Sequence, residues 1–188
     1  MIQSKKELLE YLEADNCYLP PENIRQKLIM WYTCFPPYMI KRYLTLLRKQ
    51  EYYINTASGS KVKKLIALYY ERRKSRLGLR LGIEIAPNCF GKGLCIYHAG
   101  CIVVNDYVRV GENCKLHGSN CIGNNGLTAA APQLGDNVDI GFGAVVIGDI
   151  TIANNTVIGA NAVVNRSVKE PDCTVVGVPA SPVKKEKT

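Results

Sequence analysis

The chain has 188 residues, of which 47% are hydrophobic and 21% charged, so it is long enough for one ordinary domain or two small ones and can bury a core. No apolar run approaches the ~20 residues of a membrane span, and the polar N-terminus lacks a signal-peptide core, so we expect a cytoplasmic protein. Eight cysteines in a chain of this length without a secretory signal favour mostly buried thiols over a disulfide scaffold.

Residues 1–80 have the pattern of an α-helical N-terminal domain. Ser4 and Glu7 fit a capping box, and the pairs Pro20-Pro21 and Pro36-Pro37 suit the starts of new helices. A last helix is predicted at about 60–77. Apolar residues recur at spacings of three or four, which is typical of core packing; they are Leu8, Leu9, Leu12, Ile24, Leu28, Trp31, Tyr43, Leu44, Leu47, Val62, Leu65, Ile66 and Tyr69.

The positive charge of the chain is concentrated in residues 61–80. This segment carries eight basic residues against Glu71 alone, a net charge of +7 within a total of +8. A run of this kind is most often a solvated helix face, and the alternative is a contact with an anionic partner such as a membrane surface. We find no nucleic-acid motif and no aromatic stacking platform, so we expect no nucleic-acid partner.

A period of six residues begins after residue 81. Aliphatic residues occupy ten positions separated by multiples of six, and the residue after each is mostly small. A helix repeats at 3.6 and a strand at 2, so a sustained period of six indicates a parallel β-helix in which three hexapeptides form one coil. The ten positions are Val104, Val110, Leu116, Ile122, Leu134, Ile140, Val146, Ile152, Ile158 and Val164.

Two irregularities interrupt this period. The gap between Ile122 and Leu134 equals two repeats, so one hexapeptide is predicted to leave the stack as a loop over residues 124–133. Phe90 and Ile96 share the period but lie two residues out of phase with Val104, so a local adjustment is expected near His98.

The coil geometry also bears on assembly and on the cysteines. The helices can cover one open end of the stack, and a three-sided prism suits trimeric association.

Cys89, Cys95 and Cys101 are six residues apart and therefore fall on three different faces. They cannot converge on one metal ion, no Cys-x-x-Cys pair is present, and two histidines are too few for a His₃ zinc site, so no metal is expected.

Four segments resemble the hexapeptide-repeat acetyltransferases, and most of all the serine acetyltransferases and their relatives encoded with capsule and exopolysaccharide genes. They are Ile83-Glu84-Ile85-Ala86-Pro87, Tyr97-His98-Ala99-Gly100, Ile102-Val103-Val104 and Gly177-Val178-Pro179-Ala180. The resemblance implies a mainly β chain: a left-handed parallel β-helix over 81–180, after the helical domain 1–80 and before a basic tail 181–188. It also implies transfer of acetyl from acetyl-CoA to a hydroxyl group in a homotrimer or dimer of trimers, with active sites between subunits.

The resemblance assigns candidate catalytic roles to three residues. His98 occupies the position of the catalytic histidine, a side chain suited to accept a proton near neutral pH. Glu84 occupies the position of the aspartate that orients this histidine, with one additional methylene. His117, on the next coil, is expected to stack near His98 and to bind the acceptor or share the role of base, although a packing role is equally compatible with its position.

The same comparison suggests where the two substrates bind. Gly123, Phe142, Ala160 and Lys184 correspond to positions that contact acetyl-CoA, and the loop 124–133 borders its channel. Tyr97 replaces an acceptor-binding aspartate, and Ala130-Ala131 replace an Arg-His pair. Because the charged ends of serine would lack partners, we favour a sugar hydroxyl of a surface polysaccharide, with Tyr97 stacking on the ring. L-serine is the alternative acceptor, and a non-catalytic trimeric scaffold that uses its basic segment is a further one.

Overall fold

A computed structural model describes residues 1–15 and 23–183. It begins with four helices, and those that the proline and capping patterns predict are present. Ser4 and Glu7 cap the first helix reciprocally, and Pro36 occupies the first position of the third. The predicted start at Pro20-Pro21 lies outside the described residues; the second helix is capped by Asn23. The helices are α1 (Lys5–Ala14), α2 (Ile24–Tyr32), α3 (Pro36–Asn55) and α4 (Lys61–Leu81).

Short strands follow, and they form three sheets that are parallel except for the last pair. Face 1 contains β1 (Ile83–Ile85), β3 (Ile102–Val104), β6 (Cys121–Gly123), β9 (Val145–Ile147) and β12 (Val163–Val164). Face 2 contains β4 (Arg109–Val110), β7 (Gln133–Leu134) and β10 (Thr151–Ile152). Face 3 contains β2 (Cys95–Ile96), β5 (Lys115–Leu116), β8 (Asp139–Ile140), β11 (Val157–Ile158), β13 (Thr174–Gly177) and β14 (Ala180–Pro182).

The pairing register confirms the three-sided parallel β-helix. Leu134 pairs with Ile152, an offset of three hexapeptides, and all ten aliphatic positions of the repeat are at most 6% exposed. Val110 pairs with Leu134 at an offset of four hexapeptides, as expected if one hexapeptide leaves the stack as a loop. The shift of phase near His98 is also present, since Ile96 pairs with Leu116 at an offset of twenty residues.

The helices close the N-terminal end of the stack with buried charges. The Arg48 side chain is fully buried, with its Nε 2.7 Å from Asp15 Oδ2 and its Nη1 3.0 Å from Glu51 Oε2. Its guanidinium also donates to the carbonyl oxygens of Phe90 and Gly91 in the first coil. Burial alone would lower the pKa of Arg48, but the two carboxylates raise it above its usual value, so the group stays charged.

Two further side chains satisfy the backbone of β1, which is the edge strand of face 1 among the described residues. The Ile85 N–H donates to Tyr43 Oη at 3.1 Å, and Lys74 Nζ donates to the Ile85 carbonyl at 2.8 Å. One hydrophobic cluster therefore continues from α3 and α4 into the coils. The polar groups at this junction satisfy backbone positions that would otherwise be buried without partners.

Only part of the predicted helical core is buried. Tyr43, Leu44 and Leu47 are at most 3% exposed, as predicted. The prediction was wrong for Leu9, which is 67% exposed, for the apolar residues of α2, and for most of those in the N-terminal half of α4. Both α2 and α4 contact α3, but within residues 1–15 and 23–183 these apolar side chains stay largely exposed. The exposed fractions are 78% for Ile24, 60% for Leu28, 53% for Trp31, 66% for Val62, 66% for Leu65 and 52% for Tyr69.

Candidate active site at the third corner of the prism

The corner between face 3 and face 1 brings most of the predicted site residues together. Because Ile96, Leu116, Ile140 and Ile158 are paired in successive coils, the residues that follow them form two columns along this corner. The outer column of face 3 is Tyr97, His117, Gly141 and Gly159. The corner column is His98, Gly118, Phe142 and Ala160, so it contains the predicted base and two of the predicted CoA contacts.

Gly118 brings His98 and Phe142 close to each other. Its φ is +118°, and a Cβ at this position would lie 3.1 Å from Phe142 Cε2 and 3.3 Å from His98 Cβ. The Phe142 ring therefore covers the glycine beside the histidine. Both side chains are open to solvent, since His98 is exposed and Phe142 is 49% exposed.

The imidazole ring of His117 makes a hydrogen bond at one edge and a stacking contact on one face. Its Nε2 lies 2.8 Å from Asp139 Oδ1, and its ring stacks on the Tyr97 ring with centroids 4.4 Å apart and an interplanar angle of 15°. Asp139 Oδ2 in turn lies 3.6 Å from Lys115 Nζ. Since a carboxylate can only accept, Nε2 carries the proton, and the lone pair of a neutral His117 ring is at Nδ1.

The partner of His117 in this stack differs from the expected one. The sequence predicts that His117 stacks near His98, but the offset of twenty residues between β2 and β5 places Gly118 opposite His98 and His117 opposite Tyr97. The histidines thus occupy neighbouring columns. The sequence analysis did not identify Asp139, because the expelled loop places it 22 residues after His117. Counting two hexapeptides for the gap aligns β5 with β8, and this alignment could have identified Asp139 as a neighbour of His117.

Glu84 lies on face 1 rather than at the corner. It pairs with Val103, and its exposed side chain points outward from β1. Within residues 1–15 and 23–183, no hydrogen bond or ion pair joins Glu84 to His98. Its role as the orienting carboxylate therefore stays a prediction that the geometry of one chain does not support.

Glu84 lines a groove of about 690 Å³ between α4 and face 1. Lys74, Glu71 and Asp106 contribute further charges to this groove. Burial lowers the pKa of Lys74. The Gln50 side chain also lines it, and among the described residues its buried Oε1 has no hydrogen-bond partner.

The remaining predicted CoA contacts lie elsewhere. Gly123 ends β6 at the corner between face 1 and face 2, where the loop begins. Asn125 Oδ1 accepts from the N–H groups of Leu127 and Thr128 and shapes this loop, in which Leu127 is 87% exposed. Lys184 lies outside the described residues. The roles of Gly123 and Lys184 stay predictions.

The cysteines occupy the three faces as predicted, but not all of them are buried. Cys89, Cys95 and Cys114 are buried, whereas Cys34, Cys101 and Cys121 are exposed. Burial raises the pKa of the Cys89 thiol to about 11 and that of Cys114 further.

In the described part of the chain, no three His, Cys, Asp or Glu side chains meet as a metal site requires. None of the helices placed there is long and apolar enough to cross a membrane.

These features define a hexapeptide-repeat, left-handed parallel β-helix protein with a helical cap. The family model for the bacterial transferase hexapeptide (six repeats) matches residues 131–166. The relatives are serine acetyltransferases. The chain is 39% identical over 104 residues to that of Synechococcus elongatus, and 41% identical over 108 residues to that of Staphylococcus xylosus.

The coverage of these relatives is partial. The matches cover 54% and 56% of this chain but only 42% and 50% of the two relatives, so the chain spans about half their length. The structure of Neisseria gonorrhoeae serine acetyltransferase superimposes with a TM-score of 0.68 at 27% identity, over 98% of this chain and 68% of that one. The same enzyme in complex with serine gives 0.67 at 26% identity, over 95% and 70%.

Proposed function

We propose that the protein is an acetyl-CoA-dependent O-acetyltransferase whose active site lies at the corner between face 3 and face 1. The observation that carries this proposal is the corner column, in which the predicted base His98 and Phe142 lie on either side of Gly118 and Ala160 follows Phe142 on the next coil. The serine acetyltransferases that share the repeat and the fold support the same reaction class.

His98 acts as the general base. Its imidazole accepts the proton of the acceptor hydroxyl while the oxygen attacks the thioester carbonyl of acetyl-CoA, and the tetrahedral intermediate then expels the thiolate. The new C–O bond replaces the broken C–S bond, and the imidazolium returns its proton to the CoA sulfur. A base step of this kind contributes about 10²–10⁴-fold to the rate.

The small residues of the corner suit a thin, extended cofactor arm. A Cβ at Gly141 would lie 2.6 Å from the Ala160 nitrogen, so the backbones of neighbouring coils are in close contact there. The small residues leave room along this corner for a pantetheine arm, whose amides can form hydrogen bonds with polar groups there. Gly123 and Lys184 are the further contacts that the family resemblance predicts.

L-serine is the first acceptor to test. The relatives named above are serine acetyltransferases, and one of them was solved with serine, so they favour L-serine over the polysaccharide sugar that the sequence analysis prefers. A sugar hydroxyl remains the second candidate because of one specific observation. The Tyr97 and His117 rings form a stacked aromatic platform where the predicted acceptor aspartate is absent.

Assembly through face 1 would complete the site. The outward side chains of this face above Glu84 form an apolar column, whereas face 2 presents Arg109, Gln133 and Thr151 there and face 3 mixes charged, polar and apolar residues. The column consists of Val103, Cys121, Val145 and Val163. A neighbouring copy would cover this column, and trimeric closure would bring its loop toward the corner.

The test is release of free CoA thiol from acetyl-CoA with L-serine and with a panel of sugars. We expect one acceptor class to stimulate release and His98→Ala to reduce kcat at least about 10²-fold, with an unchanged circular dichroism spectrum. Full activity of His98→Ala would exclude His98 as the base. Absence of acetyl-CoA binding by calorimetry would contradict the proposal and favour a scaffold.

A further inference from the structure

The outer side of α4 carries a stripe of three basic and three apolar residues. Its members follow each other at spacings of three and four and therefore share one helix face. The three leucines are 66%, 59% and 86% exposed, and the three basic residues are exposed as well. We call these six residues the α4 stripe: Lys61, Leu65, Leu68, Arg72, Arg76 and Leu79.

The opposite side of α4 is already packed. Ala67, Lys74, Leu77 and Gly78 are buried against α3 and β1, so α4 cannot rotate to bury the stripe without leaving its own core. Val62 and Tyr69 flank the stripe and are 66% and 52% exposed. The apolar surface therefore lies on the solvent side of a helix about 30 Å long.

The charge beside these leucines identifies what covers them. Arg73 and Arg80 border the stripe and are exposed, and Glu71 is the one acidic residue of the helix. A twofold contact between the α4 stripes of two copies would place the same basic residues against one another without an opposing acid. A nucleic acid would neutralise the charges but leave the leucines against a hydrated phosphate backbone.

We propose that the α4 stripe binds the surface of an anionic phospholipid bilayer. Basic side chains lie at the level of the headgroups, while leucines and Tyr69 enter the boundary with the acyl chains, as in interfacial amphipathic helices. Arg73 Nη1 donates to Tyr69 Oη at 2.7 Å, which holds an aromatic ring and a cation together at that level. The protein is then peripheral, and acetyl transfer plays no part in this property.

The experiment is co-sedimentation of the full chain with vesicles of phosphatidylcholine alone and with about one third phosphatidylglycerol. We expect binding to the anionic vesicles only, weakened in about 1 M salt, where the Debye length falls to about 3 Å. The variant Lys61→Gln/Arg72→Gln/Arg76→Gln should bind about 100-fold more weakly, since each basic residue contributes about fivefold. Leu65→Gln/Leu68→Gln/Leu79→Gln should also weaken binding while keeping its salt dependence.

The matched control is Lys5→Gln/Arg166→Gln/Lys169→Gln, which removes the same charge from exposed positions on α1 and the β-helix. It should bind about as well as the parent chain. Equal binding to neutral vesicles, or full binding by either stripe variant, would overturn the proposal. So would binding of duplex DNA without vesicle binding, or a smaller solution mass of the leucine variant, which would identify a second copy as the occupant.

Discussion

At the scale of single residues, the chemistry of the corner depends on how its two histidines are held. His98 is exposed beside Gly118 and Phe142, whereas His117 is oriented by Asp139 and stacked on Tyr97. His117 and Asp139 thus form a histidine–carboxylate pair of the kind that fixes a tautomer. We propose that Asp139 is a positioning residue for His117 and that His117 and Tyr97 together contact the acceptor.

Asp139→Asn should raise the KM for the acceptor about fivefold and leave the KM for acetyl-CoA unchanged. A hydrogen bond to a charged group contributes about 1.5–3 kcal/mol, and the exposure of this pair reduces that value to about 1 kcal/mol. Steady-state kinetics with both substrates varied gives the split, and ¹⁵N shifts of the His117 ring report the loss of the Nε2–H tautomer.

Asp149→Asn is the control for this prediction, because Asp149 is an exposed carboxylate at a different corner of the prism. It should change neither KM. If Asp139→Asn lowered kcat and left both KM values unchanged, a positioning role toward the acceptor would be contradicted.

The residue-level predictions succeeded where the repeat determines position. The shift of phase near His98 follows from counting hexapeptides. The same count allows Phe142 and Ala160 to share a column, whereas their roles as CoA contacts were taken from the family resemblance and stay predictions. The contact of His117 with Tyr97 rather than His98 depends on a one-residue difference in register, which the aliphatic period does not resolve. The hydrogen bonds of Asp139 depend on the resulting alignment of β5 with β8.

At the scale of elements, one corner of the β-helix is formed by a ladder of residues in the left-handed backbone conformation. Asn113, Asn137, Asn155 and Asp172 all have φ near +57° at the corner between face 2 and face 3. Each amide donates to the side chain of the next coil, at 3.1, 2.9 and 2.8 Å in turn. Asparagine adopts this conformation more readily than other non-glycine residues, so it serves the turn and the ladder together.

Asn137→Ala should lower the free energy of unfolding by about 2 kcal/mol, because alanine is strained at this φ by about 1–2 kcal/mol and the ladder loses two exposed bonds. Asn137→Gly removes the ladder bonds without the strain and should cost about 1 kcal/mol. Urea unfolding of the three proteins measures both values. Equal losses for the two variants would show that backbone strain is not involved.

The elements of the β-helix were predictable because each hexapeptide contributes its own buried aliphatic residue. The loop before Gln133 was predictable for the same reason, since the phase is kept across it. The helices were predictable as helices but not in their packing. Periodicity identifies an apolar face on α2 and α4 without indicating whether another element covers it, and in α4 the covered face is the opposite one.

At the scale of the whole molecule, the core contains several ionisable groups that remain neutral when the chain is folded. Burial raises the pKa of the Cys89 thiol to about 11, and it raises the pKa values of Cys114 and Tyr43 further. Burial also lowers the pKa of Lys74, and this shift changes stability with pH in the opposite direction to the thiol and tyrosine shifts. These shifts couple folding of the end cap and the first coils to alkaline pH.

We therefore expect stability to fall as the pH rises above about 8.5. Unfolded thiols ionise near pH 8.5 and a tyrosine near 10, so above these values the unfolded chain binds fewer protons than the folded one and unfolding is favoured. Lys74 acts in the opposite direction, since below about pH 10.4 its unfolded form binds more protons. Each buried thiol contributes a slope of up to about 1.4 kcal/mol per pH unit between its unfolded and its folded pKa, and the lowered pKa of Lys74 offsets part of this loss.

Urea unfolding at fixed protein concentration, from about pH 7.5 to 10, measures this slope. Cys114→Ala should be less stable at neutral pH because of the cavity it leaves, yet its stability should fall less steeply with pH by about 1.4 kcal/mol per unit. A slope shared by the parent chain and the variant would mean that the Cys114 thiol is not protected from ionisation by burial. The comparison of slopes separates the proton linkage from the packing loss, because the cavity lowers stability by the same amount at every pH.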